Sequence, residues 1–277
     1  MSVIMITRYT SNFKNLNKII NKIKFNKQIP IIDYANENTS NYKKNFDIIN
    51  NIISTYPNNT FALKFSSLGL SQTKDINSLH LSNIIIKNAK QNNSTILIDA
   101  EQNDIQNTIN VWTDNLILKH NHDRPLIYKT YQMYRKDSFE LFCKDLDRFK
   151  GIFLGIKLVR GAYYNTDKHN GVLFTDKKDT DKIYDKAVKY FHDKNNPKHY
   201  LIVASHNEKS IQMLDHYKNN NISVAHLLGF SDNLSNKLVT KNYKVYKYLP
   251  FGNYRDTFPY LLRRLYENYP LLIHLHN

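Results

Sequence analysis

The stretch "IFLGIKLVRGAYY", Ile152 to Tyr164, decides the fold. It opens as a continuous apolar run, is interrupted by Lys157 and Arg160, and closes on Gly161 and Ala162. An apolar run of this length, bounded by a turn signal and not alternating, reads as a strand buried on both faces of a parallel sheet. Seven further runs share its character: "IPIIDYAN", "FALKFSSL", "TILIDAE", "LIYKTYQMY", "YLIVASHN", "ISVAHLLGF" and "YKVYKYLPFG". Between them lie polar stretches of helical period, such as "NYKKNFDIINNIISTY", "DINSLHLSNIIIKNAKQ", "KDSFELFCKDLDRF", "DTDKIYDKAVKYFHD" and "EKSIQMLDHYK". Strand and helix in alternation predict βαβ units. Eight such strands in 277 residues predict an α/β (βα)8 barrel of the TIM type, with a doubly wound open sheet as the structural alternative.

In a barrel the chemistry sits where strands end. The predicted strands end on polar or ionisable residues inside apolar runs: Asp33, Lys64, Asp99 with Glu101, Gln132, Lys157 with Arg160, and Ser205-His206-Asn207. Leu227 and Tyr248 close the last two. One buried polar group is commonly a satisfied core group; one at the tail of almost every strand is a pattern.

Composition narrows the chemistry. The hydrophobic share of 41% supports a real core, and the net charge is +15. The excess of Lys, Asn, Ile and Tyr is also what AT-rich coding produces, so the charge alone does not identify a nucleic-acid or membrane partner. The single cysteine, Cys143, allows no internal disulfide and no thiolate cluster, and reads as a small apolar residue on a helix face. No metal-ligand spacing occurs among the His residues. No apolar run approaches the roughly 20 residues that span a bilayer. The N-terminus has neither signal-peptide architecture nor a clear mitochondrial leader, so a cytoplasmic location, or one peripheral to an inner membrane, is the expectation.

Each constellation has a bland reading beside its sharp one. "KLVRGAYY" gives a small backbone after a strand, able to approach a phosphate or a flat ring, flanked by two cations; it can also be a basic strand end. No GxGxxG exists in the chain. Asp99 and Lys64 can form an acid–base pair or an ion pair that tethers the mouth. His206 can serve as a base or hydrogen-bond a ligand edge; without a nucleophile motif, ligand contact is preferred. Near the end, "PYLLRRLYEN" puts Tyr260, Arg263, Arg264 and Glu267 on one helical face. The arginine forks suit a carboxylate, or they snorkel from an amphipathic end helix.

Taken together, "IIDYANE", "LKFSSL", "IDAE", "YKTYQMY", "KLVRGAY", "VASHN", "HLLGFSD", "YKYLPFG" and "PYLLRRLYEN" resemble the proline dehydrogenase family in order and spacing, over roughly Ile29 to Pro270. The resemblance implies a distorted (βα)8 barrel, residues 29–277, after a helical lead-in of residues 1–28, with the last helix lying over the C-terminal mouth. It implies non-covalent FAD, L-proline as substrate, Δ1-pyrroline-5-carboxylate as product and a membrane quinone as electron acceptor, with a hydroxyproline dehydrogenase or a flavin-binding barrel without turnover as the alternatives. The basic surface allows peripheral contact with anionic lipid, and the scatter of its basic residues argues against the remote alternative, a nucleic-acid-binding protein, so no nucleic-acid partner is expected. By the same matching Arg263, Arg264 and Lys64 grip the proline carboxylate, Asp99 orients that clamp and Lys157 lies near flavin N5. Glu37 is a gate. Tyr163, Leu227, Tyr248 and Tyr260 wall the pyrrolidine ring. Ile98, Gln132, Val159, Arg160, Gly161 and Ala162 contact FAD, as do Ser205, His206, Asn207 and Glu267, and Lys177 reaches its phosphates. The phenol of Tyr248, where hydroxyproline-oxidising relatives carry a smaller residue, favours proline over hydroxyproline.

Overall fold

A computed structural model describes residues 8–36, 41–71, 76–217, 219–253 and 257–258. Eight parallel strands close into a barrel in sequence order: β1 (Ile29–Tyr34), β2 (Thr60–Leu63), β3 (Thr95–Ile98), β4 (Ile127–Gln132), β5 (Leu154–Val159), β6 (His199–Ala204), β7 (Ile222–Leu227) and β8 (Val245–Phe251). The ring closes through β1 and β8, which pair over six residues from Ile29↔Tyr246 to Tyr34↔Phe251. The strands are buried almost throughout, as the continuous apolar runs require of a parallel sheet under helices. The open-sheet alternative is excluded.

Among the described residues the outer layer consists of α1 (Leu16–Phe25), α2 (Tyr42–Thr55), α3 (Ile76–Gln91), α4 (Asn103–His120), α5 (Ser138–Arg148), the short α6 (Tyr164–Asp167), α7 (Lys177–Lys194), α8 (Glu208–Gln212) and α9 (Asp232–Thr240). α1 buries Leu16, Ile20 and Ile23, one stripe at helical spacing, and packs against β1. The chain ahead of it is stitched to the end of β8: Ser11 N donates to Pro250 O at 2.9 Å, and Gly252 N donates to Ser11 O at 3.1 Å. Cys143 lies half-buried on α5.

Strand alternation sorts the core into two shells. Ile31, Ala62, Leu97, Tyr128, Ile202, Ala225 and Tyr248 pack inside the barrel; the larger shell lies between strands and helices. Gly155 is required by the inner shell. A Cβ there would land on the Tyr128 ring and within 2.8 Å of Ile127 O, so this strand position admits no side chain. Lys129, next to Tyr128, points the other way. Its ammonium is buried between α4 and α5, 2.6 Å from Asp114 and 2.7 Å from Asp145. A buried ammonium is tolerated only with such partners.

Candidate active site

The inward-facing residues at the strand ends form a polar cluster above the apolar plug. Asp33 lies in β1, Lys64 follows β2, Asp99 follows β3, Lys157 lies in β5 and Tyr248 in β8. Lys64 Nζ is 2.7 Å from Asp33 Oδ1 and 3.4 Å from Asp99 Oδ2. It also donates to the Tyr248 hydroxyl at 3.2 Å. Tyr248 donates in turn to Asp99 Oδ2 at 2.7 Å, and Lys157 pairs with Asp99 Oδ1. The Tyr248 ring lies beneath both ammoniums, its centroid 5.8 Å from Lys64 Nζ and 5.4 Å from Lys157 Nζ, within cation–π range.

Four charges of alternating sign therefore cross the mouth from β1 to β5: Asp33, Lys64, Asp99 and Lys157. All four residues are buried. Burial by itself would raise the Asp99 carboxyl, but the Lys157 and Lys64 ammoniums, with hydrogen bonds from Lys157 and Tyr248, outweigh it and hold the group at about 2. Asp99 is thus a fixed anion at neutral pH and no proton donor.

The β4–β6 side is built differently. After β5 the chain turns at Gly161, whose φ of +146° is open to glycine and strained for other residues. A Cβ there would sit 2.5 Å from the Tyr134 ring, so the 160–162 backbone lies against that ring. Gln132 ties the neighbouring loops together, donating to Glu101 O at 2.8 Å and accepting from Ala162 N at 3.4 Å. Arg160 engages all three guanidinium nitrogens: Nε with Asp181 Oδ1 at 2.5 Å, Nη1 with Ser205 Oγ at 2.6 Å and Nη2 with Ser210 Oγ at 2.9 Å. Its Cζ lies over the Tyr184 ring, 4.3 Å from the centroid. Asp181 also receives Lys177 Nζ at 2.5 Å. Arg160 is therefore a strut joining the end of β5 to α7 and β6.

His206 is bound on both ring nitrogens, Nδ1 against Ser231 Oγ at 2.9 Å and Nε2 accepting from Leu227 N at 3.3 Å. Burial, then the nearby Lys247 and Arg160 charges, lower it to about 4. It is neutral at pH 7, and its two ring contacts brace β6 against β7. Asn207 caps α8, its side chain accepting from Lys209 N at 3.0 Å. Ile98 packs its side chain in the helix-facing shell, one step out of phase with the inward Leu97, so only its backbone can reach the mouth. Val159 and Leu227 are half-buried at their strand ends and Tyr163 is buried.

A family model described as proline dehydrogenase matches residues 8–271. The chain belongs to the proline dehydrogenase family. It is 39% identical over 199 residues to proline dehydrogenase 1, mitochondrial, of Dictyostelium discoideum, covering 62% of this chain and 34% of that protein. It is 35% identical over 216 residues to hydroxyproline dehydrogenase of Xenopus laevis, covering 71% and 46%. The chain thus spans between a third and a half of the length of these relatives. Among solved structures, proline utilization A from Bdellovibrio bacteriovorus, inactivated by N-propargylglycine, superposes with a TM-score of 0.82 at 20% identity over 95% of this chain and 32% of that one. That likeness supports the barrel.

Of the residues matched to the proline dehydrogenase pattern, the barrel brings Lys64, Asp99, Lys157 and Tyr248 into one cluster. Glu37, Tyr260, Arg263, Arg264 and Glu267 lie outside the described residues, as does the last helix placed over the mouth. Sequence reasoning missed the roles of three carboxylates. Asp33 appeared only as a strand end, although an inward Asp in "IPIIDYAN" requires a cation. Asp181 stands four residues after Lys177 on the same helix and was the available signal for Arg160's partner. Asp167, 1% exposed, accepts from Asn103 N with both oxygens at 3.2 Å and from the Tyr134 hydroxyl at 3.3 Å; nothing in its local sequence announces this.

Proposed function

We propose that this chain oxidises L-proline to Δ1-pyrroline-5-carboxylate with FAD as hydride acceptor. The cluster of Lys64, Asp99, Lys157 and Tyr248 at the mouth of a proline dehydrogenase-family barrel carries the reading.

The β4–β6 rim suits a flat, polar cofactor. Residues 159–162 and 206–207 are half-buried above largely buried strand, which leaves backbone within reach of a ligand. Gly161 and Ala162 keep that rim low, and Lys157 supplies a positive charge below it. FAD would supply a two-electron acceptor there. Gln132, Val159, Gly161, Ala162, Ser205, His206 and Asn207 would hold it along the rim, with Ile98 contributing backbone and Glu267 a side chain. Arg160 would act chiefly by bracing the rim, and Lys177, exposed on α7, would meet the phosphates.

Proline offers one anionic handle. Lys64, with Arg263 and Arg264 from the last helix, would take its carboxylate, fixing both position and face. Tyr163, Leu227, Tyr248 and Tyr260 would enclose the ring and exclude water, and Glu37 would gate entry. Asp99, held ionised, orients Lys157 and Tyr248. Lys157 would stabilise the negative charge that develops beside it. The proline nitrogen would have to give up its proton before the wall closes around the ring, which frees the lone pair that assists hydride departure. The Tyr248 hydroxyl is committed to Asp99, so the phenol stays in the wall and crowds a hydroxylated ring. Residues 29–277 would act as one catalytic unit behind the 1–28 lead-in. Electrons would pass to a membrane quinone, met by peripheral contact of the basic chain with anionic lipid.

The test is direct. Purified protein should carry flavin absorbance, and anaerobic L-proline should bleach it faster than 4-hydroxyproline does. Colourless protein that takes up no FAD, or flavin that L-proline leaves oxidised, ends this reading.

A further inference from the structure

We infer that Asp33 is a positioning residue for substrate: it holds the Lys64 ammonium in place and in its charged form, and so sets the preference for a carboxylate ligand. This rests on the proline reading above.

Three observations support it. First, the two carboxylates near Lys64 divide their work. Asp33 makes the shorter contact, 2.7 Å against 3.4 Å for Asp99. Asp99 is occupied by Lys157 and by the Tyr248 hydroxyl. Second, the pair is enclosed: Asp33 is 1% and Lys64 3% exposed, so solvent neither screens the contact nor substitutes for it. Third, the placement is fixed by register. Asp33 sits opposite Pro250 in the β1–β8 ladder, and Ile32 opposite Phe61 in the β1–β2 ladder. The carboxylate therefore lies beside the end of β2, where Lys64 emerges.

Among the described residues, the charged and titratable groups facing Lys64 are Asp33 from β1, Asp99 after β3, Tyr248 from β8 and, across Asp99, Lys157 from β5. Without Asp33, the carboxylate left to the Lys64 and Lys157 ammoniums among the described residues is that of Asp99. Burial and like-charge repulsion both favour the neutral amine in that arrangement. A neutral Lys64 offers a carboxylate little.

The experiment compares two probes on the flavin-loaded protein by calorimetry: tetrahydrofuran-2-carboxylate, a proline analogue without the nitrogen lone pair, and its carboxamide. Wild type should prefer the carboxylate. Asp33→Asn should lose about tenfold in carboxylate affinity, keep its carboxamide affinity, and lose more as pH rises from mildly acid to mildly alkaline. An unchanged carboxylate-to-carboxamide preference at every pH overturns the inference. If Asp33→Asn does not fold, Lys64→Met is compared with Asp33→Asn/Lys64→Met, in which no ammonium needs a counter-charge. Equal loss of preference in the two supports action through Lys64; a further loss in the double variant overturns it. The proposed function fails separately, if wild type is not bleached by proline; a wild type that bleaches, with a preference insensitive to Asp33, sinks this inference alone.

Discussion

The Tyr248 hydroxyl donates to Asp99 Oδ2 at 2.7 Å while Lys157 takes Oδ1 of the same carboxylate. One anion thus joins β8 to β5 across the mouth of the barrel and sets where a phenol and an ammonium stand. Tyr248→Phe keeps the ring and both cation–π contacts but removes the donor. The expected loss in kcat/KM for proline is on the order of fivefold, about 1 kcal/mol, with flavin content unchanged. Steady-state kinetics beside a flavin absorbance ratio would check it, and wild-type kcat/KM in the variant would refute the assigned contact.

Arg160 makes a sharper case, because charge and shape separate. Arg160→Lys keeps the positive charge but cannot serve Asp181, Ser205 and Ser210 at once. The rim between β5 and β6 should loosen. Flavin affinity should fall about tenfold or more, read by fluorescence on titrating FAD into apoprotein. Retained affinity would mean that charge alone matters there and that the strut is incidental.

The pH dependence of stability follows from Asp99. Its carboxyl is lowered from an ordinary 3.8 to about 2. A group lowered on folding contributes stability that is fully present above its unfolded value and is lost as pH falls through the folded one. The contribution, on the order of 2 kcal/mol, should therefore persist from neutral pH down to about 4 and vanish toward 2. Denaturant midpoints across that range should fall less steeply for Asp99→Asn than for wild type. Parallel slopes would show that the carboxylate is not depressed in the folded protein.

Much of the barrel is legible because each strand announces itself by a largely apolar run, and almost every strand end by a polar residue. Lys64, Asp99, Lys157 and Tyr248 could be placed at the mouth before any coordinates. What could not be read was partnership. The Asp33 to Lys64 contact joins residues 31 positions apart, and Tyr248 to Asp99 joins residues 149 apart; no local period records such pairs. Arg160 and His206 show the opposite limit. Their strand-end positions were read correctly, but a residue type does not reveal that its nitrogens are already spent on protein partners. The stripe of α4 is hard to see in the sequence, because its 18 residues mix buried Thr113, Asp114 and His120 into the core face.

Gly155 offers a test of the barrel interior free of any assumption about ligands. It lies in β5 opposite Tyr128 of β4, and a methyl group there would collide with the Tyr128 ring and approach Ile127 O to 2.8 Å. The ring is boxed in by the inner shell and the carbonyl is fixed in the sheet, so neither yields cheaply. Gly155→Ala should therefore destabilise by about 1–3 kcal/mol, the usual cost of overpacking, lowering Tm by roughly 2–4 °C for each kcal/mol in a chain of this size. Tyr128→Leu should cost stability alone by leaving a cavity, yet the two changes combined should cost less than their sum, because the smaller side chain vacates the space the methyl needs. Strict additivity in calorimetric Tm values would place the Tyr128 ring elsewhere than against Gly155.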